Sequence, residues 1–251
     1  MEQQKLSGSQ FGAAAERYLT SPVHAQGRDL DGLSALVRRL GPVRALDLGC
    51  GAGHAGFALA SSGAHVTACD LSAKMLEVVA REAGRRGLAM ETVLAPAEAL
   101  PFEDASFDFI VTRYSAHHWL DLKGALAEAA RVTKRGGKFV AIDSIAPEEP
   151  LFDTVLQTIE LLRDASHVRN YKVSEWKSML VDAGFATEES EVWTVRIEFE
   201  SWIERLGTAP ERVRALRAVI PESPDEAKQY FRITDDCSFD LGTAWIGSSR
   251  N

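Results

Sequence analysis

Short apolar runs alternate with segments of helical periodicity between residues 43 and 145. The apolar runs predict strands at 43–48, 64–70, 90–95, 107–114 and 138–144. The segments between them predict helices at 54–62, 72–84 and 123–133. Because the strands are almost continuously apolar, we expect helices to cover both faces of the sheet. The pattern therefore predicts an α/β fold built on a doubly wound, mostly parallel sheet.

The two ends of the chain follow other patterns. Residues 13–40 predict two helical pieces, and Gly41 and Pro42 end the second. Beyond residue 145 the pattern predicts helices at 150–165 and 174–183, a strand at about 189–199, a charged helical stretch at 201–230 and a last strand near 237–247. Since no Gly/Ser-rich linker separates these segments from the rest, we predict one domain, 1–251, that carries them as insertions.

Composition narrows the classes of function. Lysine and arginine number 28 against 36 aspartates and glutamates, a net charge of −8, which argues against nucleic acid because such binding depends on clustered cations. The three cysteines (Cys50, Cys69 and Cys237) are far apart, and neither they nor the histidines show metal-ligand spacing, so we expect buried thiols and no metal. With no membrane-spanning apolar run and no secretory pattern at the N-terminus, the sequence predicts a cytoplasmic protein.

A glycine-rich segment follows the first predicted strand. Residues 47–56 read DLGCGAGHAG, in which Gly51, Gly53 and Gly56 have the spacing GxGxxG. Glycines between a strand and a helix allow a tight turn and a close approach of ligand to backbone, and the helix N-terminus offers free N–H groups to an anion. The spacing alone is compatible with a dinucleotide, with another ligand or with a ligand-free turn.

Two acidic residues help to separate these alternatives. Asp47 lies at the end of the first strand, where its charge would repel the pyrophosphate of a dinucleotide but attract an ammonium group. Asp70 ends the next strand, at a position from which a carboxylate can accept hydrogen bonds from ribose hydroxyls. Capping of the helix at 72–84 is an alternative role for Asp70, although Ser72 is an equally good cap. A ligand such as S-adenosylmethionine, which carries ammonium, carboxylate and ribose groups, fits both residues.

Four segments together resemble the class I S-adenosylmethionine-dependent methyltransferases, and within them the branch that includes the ubiquinone/menaquinone C-methyltransferases. They are ALDLGCGAGHAG (45–56), VTACDLSAKML (66–76), APAEALPFEDASFDFIVTRYSAHHW (95–119) and EAARVTKRGGKFVAID (128–143). FGAAAERYLTSPVHAQGRDL (11–30) is similar to that branch's N-terminal lid. The resemblance implies a Rossmann-like sheet of seven strands with an antiparallel last strand. It also implies a helical lid (1–40), a cofactor-binding core (41–145) and a C-terminal half with acceptor-side helical insertions (146–251).

The resemblance also implies roles along the cofactor. Gly49, Gly51 and Gly53 would lie under the methionine part, and Asp47 would order its ammonium group. Asp70 would hold the ribose.

At the adenine end the resemblance implies that Leu71 packs on the ring, and that Ala97 and Glu98 border its edge. Many members of the family have Asp where Pro96 stands in this chain. Adenine recognition is therefore expected to differ here, with Glu98 as the candidate substitute.

Residues after the fourth predicted strand are candidates for catalysis. His117 and His118 are possible general bases, needed only if the acceptor must lose a proton. The alternative is that one of them packs on or caps a helix and the other faces solvent. Arg113 is expected either to contact the cofactor or an anionic acceptor, or to form a local ion pair. Tyr18 and His24 are expected to close over the methyl-donor pocket, with helix packing as the alternative.

The predicted activity is methyl transfer from S-adenosylmethionine to a small molecule, with S-adenosylhomocysteine as product. An NAD(P)-dependent oxidoreductase on the same kind of sheet is one alternative, which Asp47 disfavours. A non-catalytic S-adenosylmethionine-binding protein is another. Nucleic-acid methylation is disfavoured because TRYSAHH, and not NPPY or DPPY, follows the fourth strand.

Overall fold

A seven-stranded sheet runs through the protein. The computed structural model describes residues 2–251, so residue 1, at the start of the predicted lid, lies outside the described residues. The strands are β1 (Arg44–Leu48), β2 (His65–Asp70), β3 (Met90–Leu94), β4 (Phe107–Arg113), β5 (Thr133–Ser144), β6 (Phe185–Ile197) and β7 (Phe239–Arg250). Their order is β3-β2-β1-β4-β5-β7-β6, and β7 is antiparallel to both of its neighbours. The predicted mostly parallel, seven-stranded sheet with an antiparallel last strand is confirmed.

Helices cover both faces of this sheet. They are α1 (Glu2–Leu19), α2 (Pro22–Ala25), α3 (Arg28–Leu40), α4 (His54–Ser61), α5 (Ala73–Arg86), α6 (Leu122–Val132), α7 (Pro150–Arg163), α8 (Val173–Asp182), α9 (Phe199–Leu206), α10 (Pro210–Val219) and α11 (Asp225–Tyr230). Alternate residues of β1 divide between two cores: Ala45 packs with Leu33 of α3, and Leu46 packs with Leu126 of α6. The continuous apolar strands are therefore explained by helices on both sides.

A third core forms at the carboxyl ends of the strands. Leu156 of α7 packs with Trp202 of α9, Leu216 of α10 and Phe239 at the start of β7. Helix α7 agrees with the helix predicted at 150–165, whereas α9 and α10 lie in the charged stretch 201–230, which was predicted as helical without separate boundaries. The third core holds a helical cap over the edge of the sheet where ligands of such folds bind.

Two elements begin at least five residues earlier than their patterns predict. Helix α1 begins at Glu2 rather than near residue 13, because contacts with the rest of the fold stabilise a polar segment of weak helical periodicity. Strand β5 begins at Thr133 rather than at 138, since the polar residues 134–138 lack the apolar signal of a strand. Gly136 in that segment has φ 74°, and the pairing of β4 with β5 shifts register at Phe107 and Phe109.

Candidate functional site

A cavity of about 870 Å³, its open mouth included, lies at the carboxyl ends of β1, β2, β3 and β4. We call it the first cavity. It is centred where the strand order reverses between β1 and β4, which is the usual ligand position in sheets of this kind. Helix α1 lies over the first cavity and contributes Ser7, Gly8, Phe11 and Tyr18 to its lining.

The glycine loop after β1 forms one wall of the first cavity. The N–H of Gly49 donates to the carbonyl of Cys69 (2.8 Å), and the N–H of Gly51 donates to Oδ2 of Asp70 (2.8 Å), so the end of β2 holds the loop. Gly49 has φ 69°, and a Cβ there would lie 2.1 Å from Oγ of Ser115. The loop therefore requires glycine at this position both for its backbone conformation and for its packing.

Asp47 is a buried carboxylate in the wall of the first cavity, with 1% of its surface exposed. Its Oδ2 accepts a hydrogen bond from the N–H of Gly56 (2.7 Å), while Oδ1 has no hydrogen-bond partner among residues 2–251. Burial raises the pKa of Asp47 to about 7, against the lowering effect of the Gly56 N–H. A cationic group in the cavity would offset the cost of this buried charge.

Asp70 lies on the neighbouring strand and lines the same cavity. Its two oxygens accept hydrogen bonds from the N–H groups of Gly51 and Ser72, each at 2.8 Å. The cap of α5 is Ser72, whose Oγ accepts from the N–H of Met75 (3.4 Å). Each oxygen of a carboxylate has a second lone pair, so Asp70 retains the capacity to accept hydroxyl groups.

Five more of the predicted cofactor-binding residues line the first cavity: Tyr18, His24, Leu71, Ala97 and Arg113. The guanidinium of Arg113 is held by a buried ion pair of its Nε with Oδ2 of Asp29 (2.5 Å), and its Nη1 donates to the carbonyl of His24 (2.9 Å). The local ion pair is thus present, and it ties α2 and α3 to the end of β4. Burial lowers the pKa of His24, so its imidazole is neutral.

Two predicted cofactor-binding residues do not line the first cavity. Gly53, with φ 86°, lies at the start of α4, where a Cβ would meet Cγ2 of Val79 at 2.9 Å. Glu98 is turned away because its Oε1 accepts hydrogen bonds from the N–H groups of Leu120 (3.0 Å) and Asp121 (3.3 Å). In this structure the Glu98 carboxylate fixes the segment before α6, and its place at the adenine edge stays a prediction.

Sequence reasoning missed the first half of α1. A Cβ at Gly8 would lie 2.8 Å from Cδ1 of Leu71, and one at Gly12 would lie 3.1 Å from Oγ of Ser72, so α1 approaches the end of β2 closely. Two glycines four positions apart lie on one face of a helix, and this spacing was the available signal. Gln3 adds hydrogen bonds from its Nε2 to the carbonyls of residues 118 (3.1 Å) and 166 (2.9 Å).

His117 and His118 lie on the short 3₁₀ turn after β4 and differ in environment. Nδ1 of His117 donates to Oδ1 of Asp143 (2.6 Å). Burial acts to lower the pKa of His117, but the charge and hydrogen bond of Asp143 outweigh it and raise the pKa. Burial lowers the pKa of His118 to about 3 and keeps it neutral, with Nδ1 lying 3.4 Å from the carbonyl of Ser166.

A second cavity, of about 610 Å³ with its mouth included, adjoins the first. The two share five lining residues: Phe11, Tyr18, His24, Tyr114 and His118. His117 lines only the second cavity, together with residues of α7, α9, β6 and β7. Because Nδ1 of His117 is bound to Asp143, Nε2 is the ring nitrogen left to face this space. The first and second cavities therefore meet at the five residues that they share.

Residues 2–251 show no sign of a metal site, a disulfide or a membrane span. No group of three or more His, Cys, Asp or Glu side chains there is arranged to hold a metal ion. The three cysteines are buried and unpaired. Nor does that part of the chain contain a helix of the length and apolarity that a membrane crossing requires.

Comparison with known proteins extends these observations. A family model described as a methyltransferase domain matches residues 46–141. The uncharacterized methyltransferase YcgJ of Bacillus subtilis is 36% identical over 225 residues, 89% of this chain and 89% of that protein. The crystal structure of YcgJ matches with a TM-score of 0.83 at 33% identity, covering 88% of this chain and 99% of that one. A demethylmenaquinone methyltransferase of Clavibacter sepedonicus is 33% identical, over 80% of this chain and 81% of that protein.

Proposed function

Because the chain belongs to the class I methyltransferase family, we propose that it transfers a methyl group from S-adenosylmethionine to a small-molecule acceptor. The observation that carries this proposal is Asp47, a buried carboxylate with a free oxygen beside the glycine loop. A dinucleotide would bring a pyrophosphate to this loop and suffer its repulsion, whereas the ammonium group of S-adenosylmethionine would offset its charge.

The residues of the first cavity fit this donor along its length. Asp47 would hold the ammonium group, and Asp70 would accept the ribose hydroxyls. Leu71 and Ala97 offer apolar surface for adenine, and the backbone of the Ala95–Ala97 segment can serve its edge in place of an acidic side chain at Pro96. When bound, the donor would supply a methyl group on a positively charged sulfur.

The second cavity is the proposed acceptor site, since it shares a wall with the first. The chain's part in transfer is to orient the acceptor and to exclude water. Helix α1 would exclude water because it covers both cavities. For an acceptor that must lose a proton, His117 would take it at Nε2 while Asp143 fixes the ring and stabilises the imidazolium. His118 stays neutral and forms part of the wall between donor and acceptor.

Residues 1–40 are proposed to act as a lid. Helix α1 is joined to the acceptor-side segment by Gln10, whose Nε2 donates to Oδ1 of Asp164 (2.8 Å), and by the two hydrogen bonds of Gln3. These contacts would have to open for donor and acceptor to enter. The covering helix and its polar contacts support a lid that exchanges between open and closed positions.

Isothermal titration with S-adenosylmethionine, S-adenosylhomocysteine and NAD tests this function. We expect the first two to bind and NAD not to bind. Asp47→Asn should weaken binding of both by about 10- to 100-fold, the usual worth of a hydrogen bond to a charged group. Asp235→Asn, at an exposed position, is the matched control. Binding of NAD alone would overturn the proposal, and binding without S-adenosylhomocysteine formation in a metabolite screen would indicate a non-catalytic protein.

A further inference from the structure

Two guanidinium groups, those of Arg163 and Arg205, lie in the wall of the second cavity. Arg163 ends α7, has 8% of its surface exposed, and donates from Nε and Nη2 to the carbonyl of Trp202 (3.2 Å each). Its Nη2 also lies 3.3 Å from the hydroxyl of Tyr18. These bonds hold the guanidinium plane in place and leave its Nη1 without a hydrogen-bond partner among residues 2–251.

The guanidinium of Arg205, on α9, makes fewer hydrogen bonds than that of Arg163. Its Nε is buried and has no hydrogen-bond partner in the part of the chain that the structure describes. Burial and the nearby charge of Arg163 both lower the pKa of Arg205, against the raising effects of Tyr18 and Glu160, so the two cations are close together. A buried cationic N–H without an acceptor costs free energy, which a ligand that supplies the acceptor would recover.

Neither guanidinium has a carboxylate oxygen within 4.0 Å among the described residues, although those residues form thirteen arginine–carboxylate pairs elsewhere. Glu160 is the acidic side chain that lines the second cavity. Burial raises the pKa of Glu160, against the lowering effect of Arg163 and His117. In the lining of the second cavity the two arginines outnumber the one carboxylate.

We propose that Arg163 and Arg205 form an oxyanion subsite of the second cavity, and that the methyl acceptor carries a carboxylate or phosphate bound there. The inference rests on the proposed function for the identity of the cavity as the acceptor site, but the subsite itself rests on the two arginines. The lining also includes the apolar side chains of Phe11, Val195, Ile197, Trp202 and Leu241, beside polar ones such as His117, Ser144 and Thr243. The acceptor class is thus a small molecule with an apolar or aromatic part and one anionic end.

The subsite is tested with paired probes that differ only in charge. Cinnamate and cinnamamide represent the carboxylate, and benzyl phosphate and benzyl alcohol represent the phosphate. Each is titrated calorimetrically into the full chain, with and without saturating S-adenosylhomocysteine. We expect at least one anion to bind about tenfold or more tightly than its neutral partner, since charge-assisted hydrogen bonds are strong in buried sites.

Three variants test whether Arg205 causes the preference for the anionic probe. Arg205→Gln should abolish it, and Arg205→Lys should retain part of it because the charge remains. Arg214→Gln removes the same charge from an exposed position on α10 and should change nothing. Melting temperatures of all variants show that they fold.

The result that would overturn the subsite is a lack of preference for either anion in the native protein, or a preference that survives Arg205→Gln. This outcome differs from a failure of the proposed function, which would appear as an absence of S-adenosylhomocysteine binding. Because the probes are also titrated without that ligand, the anion preference is measured in either case.

Discussion

Nδ1 of His117 lies 2.6 Å from Oδ1 of Asp143, although the two residues are 26 positions apart on different elements of the fold. The backbone N–H of His117 also donates to Oδ2 of the same carboxylate (3.3 Å). The pair thus fixes the imidazole in one tautomer and one orientation, and Nε2 is the ring nitrogen that Asp143 does not bind. Asp143 is a positioning residue whose effect can be measured through His117.

Asp143→Asn should lower the pKa of His117, because burial, which lowers it, is then no longer outweighed by the carboxylate. An NMR titration of the His117 Cε1–H signal measures this shift without knowledge of the acceptor. Once an acceptor is known, the rise of kcat with pH should move to lower pH in the variant, since a base must be deprotonated to act. An unchanged His117 titration in Asp143→Asn would contradict the assigned pair.

The affinity for S-adenosylmethionine should rise with pH through about 7, the pKa of Asp47 in the free protein. Below that value the carboxyl group is largely neutral, and above it the carboxylate can pair with the ammonium group of the ligand. Titrations at about pH 6 and about pH 8 measure the change. Asp47→Asn should remove it, and the same pH dependence in the variant would show that another group is responsible.

Asp47→Asn should also change how stability depends on pH when no cofactor is present. The folded chain holds a proton on Asp47 up to about pH 7, whereas the unfolded chain loses it near the ordinary value of 3.8. The raised pKa therefore makes the native protein progressively less stable as pH rises between these values. The variant lacks this titration. The difference in unfolding free energy, variant minus native protein, should therefore rise by roughly 3 kcal/mol from about pH 4 to about pH 8. Urea denaturation at both pH values measures the gain, and a constant difference would contradict the burial of a charged group.

Gly8→Ala should weaken S-adenosylmethionine binding by about fivefold or more, the effect of a steric conflict of about 1 kcal/mol. Its Cβ would meet Cδ1 of Leu71 at 2.8 Å and displace either that side chain or α1. Gly84→Ala is the matched control: it lies on α5, where a Cβ meets nothing within 4 Å, and should raise stability without affecting binding. Equal cofactor affinities in the two variants would argue against the role of α1 as a cover.

The sequence predicts the sheet and the glycine loop well because both depend on local signals. Apolar runs mark the strands, and Asp47 and Asp70 are adjacent to the ends of their strands. The partner of His117 was not predicted, since nothing local indicates that Asp143 on β5 lies opposite it. The same holds for Glu98, whose carboxylate accepts from backbone groups of a later segment.

The acceptor side of the site was the least predictable part. Arg163 and Arg205 are far apart in sequence, and only the packing of α7 on α9 brings both to one cavity. The first half of α1 escaped detection because it is polar and is stabilised by contacts rather than by its own periodicity. Tertiary packing determines both features.

The most direct test of the account compares S-adenosylhomocysteine with its analogue that lacks the amino group, using the native protein and Asp47→Asn. If Asp47 binds the ammonium group, the native protein should prefer the amino form by about tenfold or more, and the variant should lose that preference. Calorimetric affinities of the four combinations give the coupling between the two groups. An equal preference for the amino form in both proteins would show that Asp47 does not bind the ammonium group and would contradict the account.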